Sequence, residues 1–181
     1  MKGNVKVMVA VVAVLLVAGW WLYSRRRTEG NVTDLIAAFP QAEHRSTSTP
    51  ADAAFEVGTT TIEGQTRRTI LAKPSARIIY SVTVPADGWL EVDFGLRPDS
   101  WDLAGDGAQF RIGIADGRNY DELLRQSVNP KRVGDRRWFP ARLDLSAYEG
   151  RNVKLIFNTD PGPDVANDRP VWGEPHLYSR R

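Results

Sequence analysis

The sequence predicts an all-β domain, an antiparallel β-sandwich of about eight short strands, preceded by one N-terminal transmembrane helix. Three observations carry that expectation. Val5 to Tyr23 forms one unbroken apolar run. Beyond Ala53 the apolar residues recur with period two, in segments about ten residues apart. Gly, Pro and Asp fall between those segments, and neither a βαβ alternation nor an internal repeat interrupts them.

The first element is the anchor. At about 1.5 Å of rise per residue, the run from Val5 to Tyr23 just covers a hydrocarbon core of roughly 30 Å, which makes the lipid bilayer its expected partner. Lys2 and Lys6 precede it and Arg25, Arg26 and Arg27 follow, so the positive charges at its two ends are nearly balanced and leave the orientation open. Trp20, Trp21 and Tyr23 crowd the C-terminal end, where amphipathic rings favour the headgroup zone. A cleaved signal peptide is the rival reading, with Val17-Ala18-Gly19 as its small residues, and the bulky Trp20-Trp21 pair stands against it.

Composition then limits the rest. Five of the 24 Lys and Arg residues lie before Thr28, so the remaining 19 face 22 Asp and Glu, a net charge of −3. That balance argues against a basic nucleic-acid surface. The chain has no cysteine, which excludes disulfides, thiolate metal sites and a cysteine nucleophile.

The organisation expected is an anchor with basic flanks over 1–27, a short helix and flexible linker over 28–52, and the sandwich over 53–181. Leu35, Ile36 and Phe39 sit at helical spacing behind Asn31 or Thr33 as a cap. Gln41 to Asp52, rich in Ser, Thr, Pro and charge, reads as a mobile linker. Strands follow at Arg68–Ala72, Arg77–Val84, Trp89–Phe94, Ala108–Ala115, Arg137–Leu145, Asn152–Asn158 and Val171–Tyr178. Tyr120 to Val128 fits a strand or a helical turn, because Leu123-Leu124 serves either.

Within this pattern Asp144, Leu145, Ser146, Tyr148, Gly150 and Val153 outline a strand end, a single turn with an aromatic residue, and the opening of the next strand. With Trp101-Asp102, Gly105-Asp106-Gly107-Ala108 and Phe110, the run resembles jelly-roll domains of the galactose-binding-like, carbohydrate-binding-module type. The resemblance spans Thr60 to Tyr178. It implies a jelly-roll sandwich and an extracytoplasmic location, as for accessory domains of bacterial envelope proteins, and it adds to the case for a structural calcium.

No Gly-x-Ser-x-Gly elbow, H-E-x-x-H, P-loop or G-x-G-x-x-G is present, and His44 and His176 are the only histidines, so no enzyme is expected. Asp99, Asp102 and Asp106 in one loop, with Asp160, Asp164, Asn167 and Asp168 in another, supply the hard oxygen ligands that calcium takes. Asp99, Asp106, Asp160, Asp164 and Asp168 are its candidate ligands, against the reading that Asp simply favours turns. Sugar recognition needs an aromatic face and planar polar partners. Trp101 is the leading contact residue, with Asp102, Arg118, Asn119 and Tyr120 as companions and Glu174 as a further polar group, whereas Trp172 is expected in the core. The expected function is a tethered, non-catalytic module binding a saccharide or envelope component. The alternative is an assembly subunit docking on a membrane protein such as a glycosyltransferase.

Overall fold

The computed structural model describes residues 32–48, 50–164 and 166–180. The anchor expected at Val5–Tyr23 lies outside the described residues, and among those described no helix is long and apolar enough to cross a membrane. Eleven strands are present among the described residues, namely β1 (Thr33–Asp34), β2 (Glu43–Ser46), β3 (Phe55–Ile62), β4 (Gln65–Ala72), β5 (Ala76–Thr83), β6 (Gly88–Leu96), β7 (Ala108–Ala115), β8 (Tyr120–Val128), β9 (Phe139–Asp144), β10 (Asn152–Pro161) and β11 (Pro170–Ser179). They form two antiparallel sheets. One runs β3-β4-β11-β6-β9 with β1 beside β11, and the other runs β2-β5-β10-β7-β8.

Alternation places the core between the sheets. Leu90, Val92 and Phe94 on β6 are buried, as are Phe110, Ile112 and Ile114 on β7 and Val153, Leu155 and Phe157 on β10. The two layers meet through rings. Phe94 lies 4.8 Å from Phe110, and Trp172 stands edge-on to both Phe110 and Phe157 at 5.0 Å. Edge-to-face contacts of this kind add to the apolar area they bury. Trp172 is in the core, as expected.

Two expectations are corrected, and one left open is decided. Residues 32–39 do not make a helix. Thr33–Asp34 pairs with β11, the Asp34 carboxylate accepts from the Ile36 and Ala37 amides, and Leu35, Ile36 and Phe39 drop into the core. Leu35 donates its amide to the Pro175 carbonyl (3.0 Å), at the bulge where β11 shifts register between Gly173 and His176. The segment expected as a mobile linker instead carries β2, which pairs with β5 and is pinned by His44. That ring stacks on Phe39 at 4.1 Å, with Nδ1 2.9 Å from the Asp52 carboxylate and Nε2 3.0 Å from the Phe39 carbonyl. Finally, Tyr120–Val128 is a strand. A bulge opposite Ile112/Gly113 makes Leu123 the extra residue, so both adjacent leucines are half-buried, a two-sided demand that mimicked a helical turn.

Candidate functional site

The outer face of the five-stranded sheet brings together the chemistry the sequence scattered. Ile79 on β5, Ile156 on β10 and Gly113 on β7 lie side by side in register and point away from the core. Gly113 is the position that matters, because a methyl group there would strike the ring of Tyr120. The ring therefore lies across the glycine, nearly half exposed (46%), at the end of an apolar strip. Next to Tyr120, the Tyr148 hydroxyl donates to the Asp121 carboxylate at 2.5 Å, and burial followed by that bond pushes the Tyr148 phenol up to about 12. This ties the start of β8 to the turn after β9.

Polar groups border the strip on both sides. On one, Lys154 Nζ donates to Ser81 Oγ (2.7 Å) beside a depression of about 410 Å³ that reaches Asn152, Asp116 and Gly117. On the other, the Arg77 guanidinium donates to Asn158 Oδ1 (2.6 Å), and a smaller depression of about 190 Å³ lies between Arg45, Arg77, Asn158 and Asp160. Arg111 bridges Glu122 (2.7 Å) and Asp160 (2.9 Å), and Arg125 holds the other oxygen of Glu122 (2.6 Å). Hydrogen bonds from Arg125 and then Arg111 hold the Glu122 carboxyl below its usual range, so it stays ionised.

The five residues expected to bind ligand do not form one site. Arg118 and Asn119 sit in the β7–β8 turn, their amides donating to Asp116 Oδ1 at 3.0 and 2.9 Å, immediately before Tyr120. Trp101 and Asp102 lie at the far end of β7, a strand of eight residues and so roughly 25 Å away. Trp101 packs on the core with its indole N–H donating to the Leu96 carbonyl (2.9 Å), and the Arg136 guanidinium lies over its ring while also holding Asp102 at 2.8 Å. The Ile79–Ile156 strip and the arginines flanking it escaped sequence reasoning, because they come from separate strands and meet only through register.

The candidate calcium ligands also divide. Asp99 is taken by Arg97 (3.0 Å) and Arg169 (2.6 Å), and Asp160 by Arg111. Asp164 caps the Ala166 amide, and Asp106 accepts from the Asp164 amide. Asp168 is buried, with Oδ1 accepting from Gly107 (2.9 Å) and Oδ2 without a partner among the described residues. Burial, reinforced by Asp106 and Asp164, pushes its carboxyl up to about 6. Among the described residues no three acidic or histidine side chains gather to hold a metal ion.

The histidines are committed elsewhere. Both ring nitrogens of His44 have partners, and His176, on a central strand, has Nδ1 2.9 Å from the Glu174 carbonyl.

No protein-family model matches the chain. An uncharacterized protein of Archaeoglobus fulgidus is 37% identical over 105 residues, covering 55% of this chain and 26% of the relative. The chain thus spans about a quarter of the length of the curated relative it matches. Among solved structures, it is similar to the CBM51 module of a Clostridium perfringens GH95 protein in complex with methyl-galactose, with 15% identity, TM-score 0.45, and coverage of 82% of this chain and 88% of that one. It is similar also to CBM51-2 with INT domains of Clostridium perfringens ZmpB in complex with GlcNAc, with 10% identity, TM-score 0.49, and coverage of 76% and 29%. A β-1,3-glucan-binding CBM6 from Bacillus halodurans follows at 11% identity, TM-score 0.42, and coverage of 70% and 86%. These are carbohydrate-binding modules, the group that the sequence resembles. Identities this low and TM-scores below 0.5 leave the site to be read from this chain's own residues.

Proposed function

We propose that the domain is a non-catalytic saccharide-binding module whose ligand lies on the outer face of the five-stranded sheet. One observation carries this reading, the ring of Tyr120 laid over Gly113 beside Ile156. A pyranose offers C–H groups on its flat side and hydroxyls around its rim. An exposed aromatic face takes the first, and planar amides and guanidiniums take the second. Here Arg77, Arg111 and Lys154 border the strip, Asn158 lies buried behind Arg77, and Arg118 and Asn119 sit in the adjoining turn. The Val5–Tyr23 run supports a single-pass membrane tether, and the resemblance supports an extracytoplasmic domain. Calcium has no part in this reading. A screen of the full chain against immobilised polysaccharides tests it, with Tyr120→Ala expected to lose retention on every polysaccharide that the wild type binds. Retention unchanged by that substitution would reject the face.

A further inference from the structure

The same face carries a row of arginines. Arg45, Arg77, Asn158, Arg111 and Arg125 occupy one row across all five strands, each directly opposite the next. At about 4.8 Å per strand, the four guanidinium-bearing positions span roughly 20 Å. Arg45 faces Arg77, a like-charge pairing that is unfavourable in a sheet, and Arg111 faces Arg125 with Glu122 bridging the two. Lys154 adds a fifth cation two rows away, beyond the row of Ile156. Three carboxylates of this face are already engaged, Glu43 by Arg45, Glu122 by Arg111 and Arg125, and Asp160 by Arg111. Arg77 and Lys154, on either side of Ile156, hold neutral oxygens and pair with no carboxylate among the described residues. This excess of positive charge stands on a chain whose portion beyond Thr28 has a net charge of −3.

We infer that the ligand of this face is an anionic polysaccharide, whose carboxylate or sulfate groups meet the Arg45–Arg77–Arg111–Arg125 row while a sugar ring lies on Tyr120. The inference rests on the saccharide-binding reading above and adds the ligand's charge. Planar guanidiniums suit both anions, because their paired N–H groups match carboxylate and sulfate oxygens. Arg77, restrained by Asn158 through one N–H, keeps its remaining donors for a ligand.

The test titrates the full 181-residue chain in non-ionic detergent against two matched pairs, polygalacturonate with its methyl ester and dextran sulfate with dextran. The first pair reads carboxylate, the second sulfate. At low ionic strength we expect one charged polymer or both to bind at least tenfold more tightly than the uncharged counterpart, and to weaken as salt rises. The Arg45→Gln/Arg77→Gln double variant should lose at least tenfold on the charged polymer. Its thermal midpoint is measured alongside, so that loss of the Arg77–Asn158 and Arg45–Glu43 contacts is told apart from loss of ligand. Equal affinity within each pair, no binding to either charged polymer, or a double variant that binds like wild type would overturn the inference. Tyr120→Ala separates the two claims. If neither charged polymer binds more tightly than its uncharged counterpart while Tyr120→Ala abolishes the binding that wild type shows, the saccharide face stands and its anionic ligand falls. If a single-stranded oligonucleotide binds as tightly as the charged polymers and Tyr120→Ala changes none of them, both claims fail, and the row is a general polyanion surface.

Discussion

Tyr120 covers Gly113 on the neighbouring strand, so the position of β7 that lacks a side chain is the one the ring occupies. Every other residue of that row carries a side chain, including Ile156 and Ile79. The glycine makes the platform. Gly113→Ala should lift the ring and weaken saccharide binding about tenfold, since loss of a well-seated aromatic contact costs on the order of 1 kcal/mol or more. Titration with a bound polysaccharide, beside thermal melts, checks this. A variant that binds as wild type would show that the ring does not need its seat.

Leu35 makes a second test, of the N-terminal segment. Its side chain is fully buried in the sandwich core. Leu35→Ala should therefore cost about 2–4 kcal/mol of unfolding free energy, as buried leucines do, whereas a linker residue would cost under about 0.5. Urea unfolding followed by tryptophan fluorescence gives the value. A cost near zero would return residues 32–46 to a tether.

Asp168 sets a pH dependence of known sign. Burial first, then Asp106 and Asp164, raise its folded pKa to about 6, above the value of an unfolded aspartate. The folded form then holds the proton more tightly, so this group's contribution is complete below about pH 4 and is lost as pH rises through 6. Asp168→Asn keeps an oxygen to accept from Gly107 and removes the buried charge. The variant should be more stable than wild type at pH 7.5 by about 1–2 kcal/mol, a difference that shrinks towards pH 4. Unfolding curves of both proteins from pH 4 to 8 measure it. Millimolar calcium should leave the wild-type midpoint unchanged. A calcium-dependent rise would show the loop cluster closing on a cation.

The sandwich was legible wherever a strand buries one face. Leu90-x-Val92-x-Phe94 and Val153-x-Leu155-x-Phe157 alternate cleanly because each faces the opposite sheet. β3 was not legible, since Phe55–Ile62 is an edge strand with most of its side chains in solvent. β2 was missed for a related reason. Its four residues are polar, and what holds them is pairing to a strand over thirty residues away and one histidine stacked on Phe39. At the site, Arg118, Asn119 and Tyr120 were found because a turn followed by an aromatic is a local signal. Trp101 gave the same signal for a different reason, a loop indole that closes the end of the core. The arginine row has no local signature. It exists only through the register of five strands from separated parts of the chain.

Side-by-side titration of Tyr120→Ala and Trp101→Ala with a polysaccharide that the wild type binds, each variant shown folded by its melt, tests the central claim most directly. The sheet-face account predicts that Tyr120→Ala weakens binding at least tenfold while Trp101→Ala lowers the melting midpoint and binds as wild type. Binding lost in Trp101→Ala and kept in Tyr120→Ala would contradict it and move the site to the opposite end of β7.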